Sequence, residues 1–251
     1  MDLLRKGDTG AAVRTLQRQL AARGYPCAES GSFDATTFAA VRAFQSQNLD
    51  QHGQPLVVDG KVGPLTQWSL THPKPVIETP SAVDYTRLPG AGGSTAGRAA
   101  LAAAIGEVKD SAREIGGDNR GPFVRKYFAP VNGGTGDPWC AAFLSWCFYA
   151  ASGETLERMP FPYTVGARGV LAEFKKRGWA QAPGSGYLPV PGDIVVWWRV
   201  SLTGWQGHIG LVHSVRDGML YTIEGNRSPQ VQGFSYVLSR MDKLLGFGHV
   251  P

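Results

Sequence analysis

The chain has 251 residues, 43% of them hydrophobic and 18% charged, and a formal net charge of +5. That is an ordinary globular composition, long enough for one or two cores. Three cysteines are too few for a disulfide framework, and no Cys-x-x-Cys or His-x-x-x-His spacing proposes a zinc site. No Lys/Arg block resembles a nucleic-acid stripe, and no apolar run approaches the length of a membrane span. A mild basic excess over residues 98–251 suits an anionic partner and is as common without one. The start, Met1 to Lys6, lacks the apolar region of a signal peptide, so the expectation is synthesis and folding in the cytosol.

Residues 1–72 carry three short helical patterns separated by glycine turns. The first has Val13, Leu16 and Leu20 on one face, with Asp8 or Thr9 as cap, and stops at Gly24. The second follows the cap Asp34 and buries Phe38, Val41 and Phe44. The third opens at Gly63-Pro64 and carries Leu65 and Trp68. Val13–Gln17 and Val41–Gln45 share the pattern Val-Arg-x-(Leu/Phe)-Gln, a weak internal repeat. The order Arg5-Lys6-Gly7-Asp8, Val13-Arg14-x-Leu16-Gln17, Gly24-Tyr25, Gly31-x-Phe33-Asp34, Val41-x-x-Phe44-Gln45 and Asp59-Gly60-x-Val62-Gly63-Pro64-x-Thr66 resembles the three-helix peptidoglycan-binding domain. The resemblance implies a role in holding an enzyme on bacterial peptidoglycan. Tyr25 and Trp68 are expected in the core rather than on a ligand.

Residues 73–97 have no hydrophobic period and are dense in proline, then glycine, as expected of a linker. From Arg98 an alanine-rich helix is expected to about Ile115, a short helix over 121–129, and another over about Val165 to Arg177. Asp193–Trp198 and Gly207–Val215 read as strands. Arg216-Asp217-Gly218 is a hairpin turn into Met219–Glu224, and Phe234–Leu238 and Phe247–Val250 are candidate closing strands. Helices first and antiparallel strands afterwards predict an α+β domain over 98–251, following the three-helix bundle of 1–72.

The chemistry centres on Asp137–Cys147. Asp137 is expected as N-cap, Pro138 at the first helical position, and Cys140 in the first turn near free N–H groups. That placement favours a thiolate. Ala141, Leu144 and Phe148 form a buried stripe, and Cys147 packs in mid-helix. A nucleophilic cysteine needs a base and an orienting partner. His52 and His72 fall in or beside the first module. His208 and His213 lie on opposite faces of one strand, and the glycines beside His208 favour it. If the strands pair through Asp217-Gly218, Glu224 or Asn226 lands beside His208. Trp139 and Trp205 read equally as cleft walls or as packing.

Pro138-Trp139-Cys140-Ala141-Ala142-Phe143-x-x-Trp146-Cys147, Pro191-Gly192-Asp193-Ile194-Val195, Gly207-His208-Ile209-Gly210-x-Val212 and Glu224-Gly225-Asn226 resemble the CHAP family, cysteine, histidine-dependent amidohydrolase/peptidases of papain-like fold. The resemblance spans roughly residues 98–250. It implies Cys140 as nucleophile, His208 as base, and Glu224 with Asn226 as orienting groups. Some members carry an acidic calcium loop before the cysteine; Asn132–Gly136 has no carboxylate, so neither metal nor cofactor is expected. Together the two resemblances imply an endolysin-like hydrolase of peptidoglycan, monomeric and without membrane insertion, held in the host cytoplasm until its release to the wall. The expected bond is N-acetylmuramoyl-L-alanine. Alternatives are an endopeptidase, a secreted antibacterial toxin, or a binding protein without activity.

Overall fold

The computed structural model describes residues 3–23, 25, 27–52, 56–72, 83–134 and 136–251. Contacts divide the chain into two units, Met1–Ile77 and Glu78–Pro251. Among the described residues no helix is long and apolar enough to cross a membrane.

In the first unit, α1 (Ala11–Ala22), α2 (Ala35–Gln47) and α3 (Pro64–Thr71) enclose Val13, Leu16, Leu20, Tyr25, Phe33, Val41, Phe44, Val62 and Leu70. Asp34 caps α2 by accepting the Thr37 N–H at 2.8 Å, and Gly63-Pro64 opens α3. For α1 the cap is Gly10, not Asp8 or Thr9. The Asp8 carboxylate turns back to the Arg5 N–H at 2.8 Å and closes the preceding turn instead. Trp68 is half-buried and stacks on His72, with ring centroids 4.6 Å apart.

The internal repeat has a physical content. The buried Gln17 accepts the Gly31 N–H at 2.9 Å and donates to Ser32 O and Thr37 Oγ1, both at 3.0 Å. Gln45 accepts the Gly60 N–H at 2.8 Å and donates to Lys61 O at 2.8 Å and Thr66 Oγ1 at 3.2 Å. Each amide thus pins the loop that leads into the next helix. Both donor glycines, Gly31 and Gly60, have positive φ, 74° and 73°, the region that favours glycine.

Residues 73–82 of the expected linker lie outside the described residues. Residues 83–97 depart from that expectation because they pack on the second unit. Tyr85 covers Gly233 and donates its hydroxyl to Phe234 O at 2.8 Å, while His213 Nε2 meets Arg87 O at 3.0 Å. Arg98 reaches back to Pro89 O and Gly92 O. Ser94 caps α4 (Thr95–Lys109), which therefore starts earlier than expected. It also ends earlier: Glu114 N donates to Pro229 O at 2.7 Å, and Ala112 O accepts the Val231 N–H at 2.8 Å, so 112–114 run as extended backbone.

After α5 (Pro122–Phe128), α6 (Cys140–Ala151) and α7 (Ala167–Lys176) come β1 (Ala180–Gln181), β2 (Ile194–Trp198), β3 (Gly207–Arg216), β4 (Met219–Glu224), β5 (Gln232–Val237) and β6 (Leu244–Gly248). They form an antiparallel six-stranded sheet in the order β1-β6-β2-β3-β4-β5, and the fold class is α+β. The turn of β3 into β4 has φ 52° at Asp217 and 74° at Gly218, the primed geometry that suits strand twist. Ile194, Val196, Ile209, Leu211 and Ile223 pack on the helices, while Val195, Trp197, Val212, Leu220, Tyr236 and Phe247 form a second cluster. Helix α6 is buried on nearly every side and packs against α4 and β3, so its first residue is delivered to the sheet.

Candidate active site

Cys140 is the first residue of α6, and Trp139 is its N-cap. Asp137 and Pro138, expected in those places, lie in the loop before it. The Trp139 N–H is held from across the fold by Asn226 Oδ1 at 3.1 Å. Asn226 has φ 60° just after β4, and this tight turn brings its amide under the helix start. Its Nδ2 donates to Asn119 Oδ1 at 2.6 Å, and Glu114 Oε1 accepts the Trp139 indole N–H at 2.8 Å. The Asn226 amide is thus taken up by Trp139 and Asn119, and it positions the start of the Cys140 helix. Trp139 is fully buried and stacks on Tyr127, so it is packing.

The N–H groups of Ala141 and of Ile209, the residue after His208, favour negative charge on the Cys140 sulfur. Burial pushes the thiol up, against the pull of the Arg199 charge and those two N–H groups. A resting thiolate, expected from the helix start alone, is thereby corrected: desolvation outweighs the dipole. Cys147 is buried and its thiol is raised well above the ordinary value, first by burial.

His208 opens β3 opposite Trp197 and stacks on it, with ring centroids 5.8 Å apart. Its Nε2 lies 2.7 Å from Glu224 Oε2. Glu224 reaches it because position 210 is glycine: a Cβ there would stand 2.7 Å from the Glu224 Cγ. The carboxylate is saturated. Arg227 Nη1 donates to Oε2 at 3.2 Å, and Thr222 and Tyr236 hydroxyls donate to Oε1 at 2.5 and 2.6 Å. Burial alone would raise the Glu224 carboxyl, yet Arg227 and His208 together hold it below its ordinary value.

An ionised carboxylate only accepts, so Nε2 carries the ring proton and Nδ1 keeps its lone pair. Burial first, then the Arg199 charge, push the imidazole down to about 4 against the opposing carboxylate. Arg199, just past β2 and 3% exposed, is itself pushed down to about 10 by burial and feels both Cys140 and Glu224. At neutral pH the site is thus a neutral thiol and a neutral imidazole beside an ionised Glu224 and a cationic Arg199.

Of the four residues singled out, the structure pairs His208 with Glu224, sets Cys140 at the start of the helix that packs on β3, and holds that start with Asn226. Sequence reasoning missed Arg199, Arg227, Thr222, Tyr236, Asn119 and Glu114. Thr222 was readable, since it stands two residues before Glu224 on the same strand face. The others arrive through loops or through the β4–β5 register. Among the described residues no cluster of three or more His, Cys, Asp or Glu could hold a metal ion.

Residues 132–226 match the CHAP domain family, and residues 9–68 match the family described as "Putative peptidoglycan binding domain". Comparison with curated proteins gives no match. Among solved structures, a Burkholderia AP3 phage endolysin is 33% identical over 45% of this chain and 39% of that chain, with a TM-score of 0.24. Ly7917 is 19% identical over 46% and 54%, TM-score 0.35, and Ly7917 with the hydrolyzing product of MDP is 18% identical over 51% and 62%, TM-score 0.28. The chain thus spans between 39% and 62% of the length of these solved chains. The two family matches thus fall in order along the chain, the peptidoglycan-binding one toward the N-terminus and the CHAP one toward the C-terminus.

Proposed function

We propose that the chain is a cysteine-dependent peptidoglycan hydrolase acting on the N-acetylmuramoyl-L-alanine amide of bacterial cell wall. One observation carries the reading: a buried His208–Glu224 pair lies on β3 and β4, and the Cys140 helix packs against β3, in a chain whose N-terminal residues match a peptidoglycan-binding family.

The chemistry is acyl transfer. As substrate binds, His208 Nδ1 takes the Cys140 proton and the sulfur attacks the amide carbonyl, forming a C–S bond and moving the carbonyl π pair onto oxygen. N–H groups at the start of α6 stabilise that oxyanion. Collapse breaks the C–N bond; Nδ1–H protonates the departing alanine amine and leaves a muramoyl thioester. Water, deprotonated at the same nitrogen, then releases the carboxylate and restores the thiol. Glu224 fixes the tautomer throughout and stabilises the transient imidazolium, while Asn226 holds the helix that presents the sulfur.

Cys140→Ala is expected to lower the rate of turbidity loss on permeabilised cells by at least about 10³-fold. Equal lysis by the wild type and the variant would end the enzyme reading in favour of a binding protein. Mass spectrometry of the digested wall tests the bond. New alanine N-termini with intact glycan support the amidase, and cleavage within the stem or cross-bridge selects an endopeptidase instead.

A further inference from the structure

The segment joining β2 to β3, residues 199–206, begins and ends in the site. Its first residue, Arg199, is buried and its charge acts on Cys140, His208 and Glu224; His208 follows two residues after its last. Its middle turns the other way. Trp205 is 78% exposed and Leu202 is 64% exposed, the two most exposed large apolar side chains among the described residues.

This loop is held, not loose. Arg168 on α7 donates to three of its carbonyls, Gln206 O at 2.9 Å, Leu202 O at 3.0 Å and Ser201 O at 2.7 Å. Ser201 Oγ accepts the Gly204 N–H at 2.8 Å. The backbone beneath Trp205 is therefore ordered before anything binds, which lowers the entropy lost on contact. A tryptophan kept in water on such a backbone contributes nothing to its own unit's core. Residues 200–207 also contain no charged side chain, in a chain with 45 of them (25 basic and 20 acidic).

We propose that the Trp205 loop is a substrate platform on which a pyranose ring of the glycan strand stacks. The axial C–H groups of a sugar meet the electron-rich face of an indole, and the uncharged stretch around Trp205, residues 200–207, suits a neutral polyol. A stem peptide, with its free carboxylates and amines, would instead call for charged partners. Continuity with His208 says which sugar: one close to the amide being cut. The proposal rests on the hydrolase reading for its substrate, and its test separates the two.

The full chain is titrated in a Cys140→Ala background, with and without Trp205→Ala, against peptide-free glycan strands and separately against soluble stem peptide, following tryptophan fluorescence. Glycan is expected to quench or blue-shift an emission component that the Trp205→Ala chain lacks; the N-terminal unit is common to both and cancels. With Cys140 present, Trp205→Ala is expected to lower kcat/KM on sacculi about tenfold, with KM taking the larger share, and Trp205→Phe to recover part of it. Identical glycan titrations of the two chains would overturn the platform, as would a Trp205 signal raised by stem peptide alone. Failure of the wild type to cut sacculi would remove the hydrolase reading and leave the glycan titration to decide the platform by itself.

Discussion

The two units differ in the buried polar groups that organise them. In the first, Gln17 and Gln45 are neutral amides, each spending its oxygen on a glycine N–H and its nitrogen on a carbonyl and a threonine hydroxyl. In the second, Glu224, Arg227 and Arg199 are buried with their charges. A satisfied amide costs little to bury and fixes loop geometry; buried charges are expensive and depend on one another. The comparison separates a scaffold, which needs only a shape, from a site, which needs an electric field.

The sharpest way to break that contrast is to remove the central charge. Glu224→Ala leaves Arg227 and His208 buried without their carboxylate and is expected to destabilise the second unit by about 3–5 kcal/mol and to abolish lysis. Glu224→Gln keeps the shape and is expected to keep most of the stability while still losing activity. Urea unfolding followed alongside turbidity measures both; a fully active Glu224→Gln would show that shape alone suffices. A smaller effect is expected in the scaffold. Gln45→Ala strands the Gly60 N–H and is expected to cost the first unit about 1–3 kcal/mol and weaken sacculus binding, leaving the unfolding of the second unit unchanged. Equal loss in both units' transitions would contradict their independence.

An effect of comparable size is expected in pH. His208 sits near 4 when folded and at its ordinary 6.5 when unfolded, so between those values the unfolded chain binds the extra proton. Its contribution to stability is complete above 6.5 and is lost as pH falls toward 4. The second unit's melting temperature should therefore drop from pH 7 to pH 5 by more in the wild type than in His208→Gln. A parallel drop in both would remove His208 from the account.

Local signals carried much of this into view. The Asp217-Gly218 turn sets how β3 and β4 pair, so residue order alone narrowed the partner of His208 to Glu224 or Asn226, and Leu211 opposite Ile223 places Glu224 opposite Gly210. Asp34 and Gly63-Pro64 marked helix starts because their caps are local. The signal failed wherever a distant group took over. Asp137-Pro138 has the composition of a helix start, but the N–H that needed capping was met by Asn226, 87 residues away. The Cys140 thiol was misjudged because the dipole is legible in one helix, whereas desolvation depends on every element packed around it. Tyr236 reaches Glu224 only through the register of β4 on β5, where Glu224 pairs with Gln232, and seven residues separate the two strands' paired ends. Residues 83–97 have the composition of a linker, and only the glycines of the opposing surface make room for them.

The close approach at Gly210 has one more consequence. With Glu224 seated there, Nε2 of His208 is occupied for good, and the imidazole is left with a single working atom. In the proposed reaction, taking the proton from sulfur, handing it to the amine and drawing one from water would all fall to that one nitrogen. The ring need not turn between acylation and deacylation, and the two half-reactions share a single proton port.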